Sequence, residues 1–144
     1  MTKAEKLIKD LGLSPHPEGG FYKESYRSEH STAIYYLLSQ GQKSSLHRIK
    51  SDELWHFYTG DSLVVVEILE SGEVKETKLS QEKFQHMVLG GTWFGAYLPE
   101  GAEFALVACT VAPAFRYEDF EFAKKEQMIR DYPQAKEMIE RLIS

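Results

Sequence analysis

The chain has 144 residues, 17 basic against 22 acidic side chains and a formal net charge of -5. Hydrophobic residues make up 42% and charged residues 27%, ordinary globular usage that argues against a disordered chain, and no Lys/Arg cluster is dense enough for a nucleic-acid surface. The single cysteine, Cys109, excludes an internal disulfide and a cysteine-rich zinc site, and no apolar run approaches the ~20 residues of a membrane span.

In chain order, Ala4, Leu7, Ile8 and Leu11 recur at helical spacing after Thr2 and before Gly12, which predicts a helix over 2–12. Ser14-Pro-His-Pro-Glu-Gly-Gly20 is a cluster of helix and strand breakers and is read as a loop. His16 and Glu18 in that loop are either surface punctuation or a lid.

From Phe21 to Val111 the sequence alternates runs rich in Ile, Val, Tyr, Phe and Trp with short turn signals. Strands are expected near residues 22–26, 32–38, 44–49, 54–58, 63–69, 73–78, 84–89, 92–97 and 103–111. So many short strands at close spacing suggest a sandwich or barrel. Cys109 lies in the last apolar run and is read as a buried small hydrophobe. After Pro113 the pattern returns to helix, with Ala135, Met138, Ile139, Leu142 and Ile143 on one face. The expectation is one domain, 1–144, with a β-core over about 20–112 and helical flanks over 2–12 and 120–143. No signal peptide is recognised, so a cytoplasmic location follows by default.

Gly41, His47, Glu53 and Gly60 fall in the register of the first cupin motif, with Ile49 at its second histidine. Pro99 and Gly101 match the second motif, whose histidine position holds Phe104, with Trp93 at its leading glycine. His16-Pro-Glu-Gly-Gly-Phe-Tyr22, Ser51-Asp-Glu-Leu-Trp-His-Phe-Tyr58 and Trp93-Phe-Gly-Ala96 narrow the match. On these residues the chain resembles the fifth cupin family, domain of unknown function 985, over roughly residues 13–122. The resemblance implies a mainly β fold, a double-stranded β-helix (cupin jelly roll) with short N-terminal and C-terminal helices. It also implies a homodimer, for which apolar outer faces at Tyr35, Leu37 and His56 were the expected surface. No activity follows from it; likenesses to nucleotide-sugar epimerases are fold-level analogies.

A cupin metal site takes three imidazoles and one carboxylate, and this chain keeps His47 and Glu53. Two ligands are too few for a tight site, so no cofactor is expected beyond weak divalent metal at those two residues. The motif register predicts that Ile49→His with Phe104→His would rebuild the metal site. Strand parity turns His56 away from Glu53, and of the neighbours Gln85 and His86 the family pattern favours Gln85 as the inward one. The expected pocket is lined by Ile49, Trp55, Phe57, Gln85, Trp93 and Phe104. A small polar metabolite is the expected partner, with no nucleic acid and no membrane. The expected chemistry is metal-independent isomerisation or epimerisation of a sugar or keto acid. His47 would be its base, Glu53 would orient His47, and Tyr58, or else Tyr36, would supply the acid. The rival expectation is a cupin that binds a metabolite without catalysis. Glu24 and Arg27 receive no role.

Overall fold

The structure, a computed structural model, describes residues 1–143. Helix α1 (Lys3–Leu11) begins at Thr2, whose hydroxyl accepts from the Glu5 amide at 3.1 Å, and ends at Gly12. Eleven strands follow: β1 (Ser14–Pro15), β2 (Phe21–Arg27), β3 (Thr32–Ser39), β4 (Lys43–Arg48), β5 (Asp52–Gly60), β6 (Leu63–Ile68), β7 (Val74–Leu79), β8 (Gln85–Val88), β9 (Trp93–Tyr97), β10 (Phe104–Ala112) and β11 (Glu121–Phe122). Helices α2 (Lys125–Asp131) and α3 (Lys136–Leu142) close the described chain, joined through a short 3-10 turn at Pro133–Ala135. All nine expected strands are present. The two that the sequence did not suggest, β1 and β11, are two residues long, too short for any periodicity.

The strands form two antiparallel sheets, one in the order β1-β2-β3-β10-β5-β8 and the other β11-β4-β9-β6-β7. Period-2 alternation sends Tyr36, Leu38, Trp55, Phe57, Leu63, Val65, Phe94 and Val107 into the layer between the sheets. The outer faces are covered by helices. Helix α1 lays Ala4, Leu7, Ile8 and Leu11 over Leu37, Phe104 and Leu106 of the six-stranded sheet. Met128, Ala135, Ile139 and Leu142 cover Leu46, Val64, Val66, Ile68 and Trp93 of the five-stranded sheet. Strand β6 is therefore buried on both faces, which is why Leu63-Val-Val-Val66 reads as a continuous apolar run and not as an alternation.

One charged residue interrupts that run. Glu67 faces inward and meets His86 of β8, with Oε1 2.5 Å from Nε2. The pair bridges the two sheets where β8 is the edge of one and β6 lies beside the edge of the other. Leu37, expected on an apolar outer surface, is fully covered by α1. Large exposed apolar side chains are found instead at positions that include Tyr58, Phe84 and Met87. Among the described residues no helix is long and apolar enough to cross a membrane.

Candidate functional site

A cavity of about 520 Å³ opens between the sheets at one end of the barrel. Strand β4 supplies Ser44 and His47 to its wall, Ile49 follows directly after β4, β5 supplies Glu53 and Trp55, and β10 supplies Cys109. Ser44 and His47 are three residues apart, so simple alternation would place them on opposite faces. A bulge in β4 against β9, between the pairs Ser44–Ala96 and His47–Phe94, absorbs the odd residue and turns both inward.

The residue that completes this wall comes from the loop. Glu18 projects into the barrel and accepts from His47 Nε2 at 3.0 Å and from the Ser44 hydroxyl at 3.2 Å, both on Oε2. His47 Nδ1 lies 2.7 Å from the Ser45 carbonyl oxygen. His16 Nδ1 accepts from the Glu18 amide at 3.0 Å, and its Nε2 stands 3.6 Å from Glu18 Oε1. The Tyr36 hydroxyl donates to the Gly19 carbonyl at 2.5 Å, and the Ser45 amide donates to the Glu18 carbonyl.

The loop reaches this depth because of its glycines. Gly19 and Gly20 have φ of 110° and 81°, and a Cβ on Gly19 would lie 2.0 Å from the Lys43 carbonyl oxygen. Gly19→Ala is therefore expected to cost about 2 kcal/mol or more, from a left-handed backbone and a backbone collision together. It should also withdraw Glu18 from His47. Urea unfolding reads the first effect and the His47 imidazole NMR signals read the second.

Electrostatics differ sharply between the two carboxylates. Burial raises the Glu18 pKa, but the His47 charge and hydrogen bond outweigh it and hold Glu18 below its ordinary value. Burial lowers His47, and the opposing Glu18 charge and hydrogen bond raise it above 6.5. Desolvation is the largest influence on Glu53 and pushes it up to about 7, helped by the Glu18 charge and resisted by His47 and the Cys109 thiol hydrogen bond. Glu53 is nonetheless reached from the cavity, whose wall it forms. Burial lowers His16, and burial raises Tyr36 and Cys109 well above their ordinary values.

At the mouth, Arg27 forks onto Glu24, with Nε at 2.7 Å and Nη2 at 2.8 Å from its two oxygens, and its Nη1 donates to the Phe115 carbonyl at 3.0 Å. Arg116 pairs with Glu118 on the same rim. Phe120 stacks on His47 at 5.2 Å between centroids and 15° between planes, and Tyr117 stacks on Phe120.

Of the expected site residues, His47, Glu53, Ile49 and Trp55 line the cavity. Five do not. Tyr58 is the residue skipped where β5 bulges against Leu106 and Val107, and it lies 50% exposed, away from the cavity. Phe57 faces inward but is packed in the core behind the cavity. Gln85 is exposed and bonds His56 at 3.2 Å, while His86, which pairs with inward-facing Trp55, is the one turned inward. Trp93 lies under the C-terminal helices with the Arg48 guanidinium over its ring. Phe104 lies under α1, because β10 sends Ala105, Val107, Cys109 and Val111 inward, so even positions such as 104 and 106 face out. A histidine at 104 would not reach the cavity, which corrects the expected Ile49→His, Phe104→His metal site. Tyr36 does line the cavity, but its hydroxyl is taken by Gly19. His56 lies away from the cavity, as its parity indicates, with Nε2 3.0 Å from the Thr110 hydroxyl.

The donor set does not fit a divalent metal. Ile49 offers hydrocarbon, Phe104 is outside the barrel, and His47 directs both ring nitrogens at protein acceptors. Among the described residues no group of three or more His, Cys, Asp or Glu side chains is placed to hold one.

Glu18 is the residue that sequence reasoning left undecided. Its signal was present: a lone carboxylate between a proline and two glycines, where ordinary surface punctuation needs no such backbone freedom.

The family model described as "Cupin superfamily (DUF985)" matches residues 5–123. Among solved structures, protein SO0799 from Shewanella oneidensis superposes with a TM-score of 0.92 at 37% identity, over 100% of this chain and 99% of that one. A hypothetical protein from Leishmania major gives 0.92 at 32% identity, over 99% of both chains. A curated relative, the uncharacterized protein YML079W of Saccharomyces cerevisiae, is 27% identical over 159 residues, covering 90% of this chain and 79% of that protein. With the matched segment running from α1 to just past β11, the chain belongs to the cupin superfamily, in its DUF985 family.

Proposed function

We propose that the cavity is a metal-independent proton-transfer site that isomerises a small polar carbonyl compound, a sugar or keto acid. The observation that carries this reading is Glu53, a cavity-wall carboxylate whose pKa stands at about 7. A base poised near the working pH is what proton abstraction from a carbon beside a carbonyl requires. The base is Glu53 in place of the expected His47, because both His47 nitrogens face acceptors and neither carries an available lone pair.

In the forward step the ionised Glu53 takes the proton from the carbon beside the carbonyl, and the bonding pair moves to the carbonyl oxygen. Glu53, its proton exchanging with water in the cavity, protonates the former carbonyl carbon, and the hydroxyl proton of the first carbon passes to the former carbonyl oxygen within the enediolate, which completes a 1,2-shift in a 2-hydroxy carbonyl compound. One base on one wall suits such a shift. Epimerisation at a single carbon needs an acid on the opposite side, and Cys109 stands beside Glu53 instead.

The test follows deuterium incorporation from deuterated water at that carbon, by NMR, across aldoses, ketoses and 2-keto acids. Wild type should incorporate deuterium with at least one of them, and Glu53→Gln should lower the rate by ~10²–10⁴-fold. A binding-only reading has one observation in its favour: His47 has no free ring nitrogen. Saturable binding without incorporation would select it.

A further inference from the structure

The cupin barrel resembled in the sequence gathers imidazoles and a carboxylate around a cation. Here the surviving histidine is arranged in a way that no metal ligand can be. Ser45 O at 2.7 Å and Glu18 Oε2 at 3.0 Å are both acceptors, one at each ring nitrogen. A neutral imidazole has a single N–H and would press a lone pair against one of them. An imidazolium satisfies both. Its ring is also flanked by Phe94 at 4.2 Å and stacked on Phe120 at 5.2 Å, and aromatic faces attract a cation.

The carboxylate that makes this possible is carried in by a loop built for it. Gly19 and Gly20 let the chain enter the barrel, Tyr36 and Ser45 hold its backbone, and Ser44 fixes the same oxygen that meets His47. The titratable groups that face His47 are Glu18 from the loop, Glu53 from β5 and His16. Two carboxylates and one neutral imidazole thus surround it.

We propose that Glu18 is a positioning residue that keeps His47 an imidazolium at neutral pH, and that this buried ion pair takes the place of the divalent metal in the cavity. The inference deepens the proton-transfer reading and rests on it for one consequence. The substrate class is a carbonyl compound whose enediolate, formed as Glu53 takes the proton, is stabilised by the imidazolium field. The imidazolium gives up no proton, and atoms and charge balance between Glu53 and the substrate alone.

The charge state is tested without turnover, so its failure is distinct from a failure of the isomerase reading. Imidazole nitrogen NMR on the ¹⁵N-labelled full chain is recorded at about pH 7.5, one unit above the ordinary histidine value. Wild-type His47 should show both nitrogens protonated. Glu18→Gln should give a neutral ring with its proton on Nδ1, toward Ser45, and Glu18→Asp should restore the imidazolium in part. One equivalent of Mn²⁺ should leave the wild-type His47 signals unbroadened. A neutral wild-type His47, or its broadening by Mn²⁺, overturns the proposal. An imidazolium that persists unchanged in folded Glu18→Gln overturns the role of Glu18. Should Glu18→Gln not fold, Gly19→Ala displaces the same carboxylate and carries the same expectation.

Discussion

Glu53→Gln is expected to stabilise the protein by about 2–3 kcal/mol near pH 8 and to leave its stability near pH 4 unchanged. Burial raises the Glu53 pKa from 4.5 to about 7. The folded state therefore binds this proton more tightly than the unfolded chain does. The favourable contribution is complete below the unfolded value and is lost as pH rises through 4.5 to about 7, where wild type must bury a charge or release a proton it holds well. At about 1.4 kcal/mol for each pH unit the difference reaches about 3.5 kcal/mol, and water entering the cavity trims it to the expected value of about 2–3 kcal/mol. Glutamine keeps an oxygen for the Cys109 thiol and carries no charge at any pH. Two other groups in the network also move with pH. The lowered Glu18 contributes stability above its unfolded value that is lost in acid, and the raised His47 contributes below 6.5 and loses it as pH rises through its folded value. Both remain in the variant, so the difference between the two proteins reads Glu53 together with its coupling to them. Urea unfolding at the two pH values measures it. Equal stability near pH 8 would mean that Glu53 is ionised and solvated, and the base assignment would fall with it.

The second large effect is at the far side of the barrel. His86→Leu alone should destabilise the protein by about 3 kcal/mol, because it leaves the Glu67 carboxylate buried without a partner. His86→Leu with Glu67→Leu should recover most of that loss, since replacing both partners of a buried hydrogen bond by apolar groups is often nearly neutral. Glu67 lies between Val66 and Ile68 in a strand covered on both faces, and among the described residues its side chain is partnered by His86, at 2.5 Å. A double-mutant cycle from urea midpoints gives the coupling. Additive single losses would show that the two side chains are solvated separately and that the seam is held by packing alone. Neither residue lines the cavity, so ligand binding should survive in the double variant.

Much of the fold was legible because strand burial writes itself into alternation. Trp55 and Phe57 share a face with Glu53 by parity, and the structure places all three inward. Where parity failed, an irregularity intervened that leaves no trace in residue type. The β4 bulge joins Ser44 to His47, whereas Tyr58, next to inward-facing Phe57, faces out by parity itself. Motif register misled for a different reason. Phe104 sits at a histidine position in the pattern, but outer-face positions of β10 are as apolar as inner ones once α1 covers them, so hydrophobicity cannot tell the two sides apart. The same holds for Trp93 beneath α2 and α3. Gln85 and His86 reversed the expected choice because Glu67, on a strand distant in sequence, supplies the partner that makes an inward histidine favourable.

By itself the sequence determined the family, the strand count of the β-core, the helical flanks and four residues of the cavity wall, Ile49, Trp55 and the two titratable ones, His47 and Glu53. These depend on local periodicity and on short-range spacing, which a single strand or turn carries. Only the tertiary structure decided what those two residues are chemically. His47 is held between a loop carboxylate 29 positions earlier in the chain and its own neighbour's carbonyl, and Glu53 is desolvated by walls from other strands. Protonation state follows from the groups that converge in space, and convergence across a barrel is set by register, bulges and a two-glycine loop entry that no linear pattern encodes.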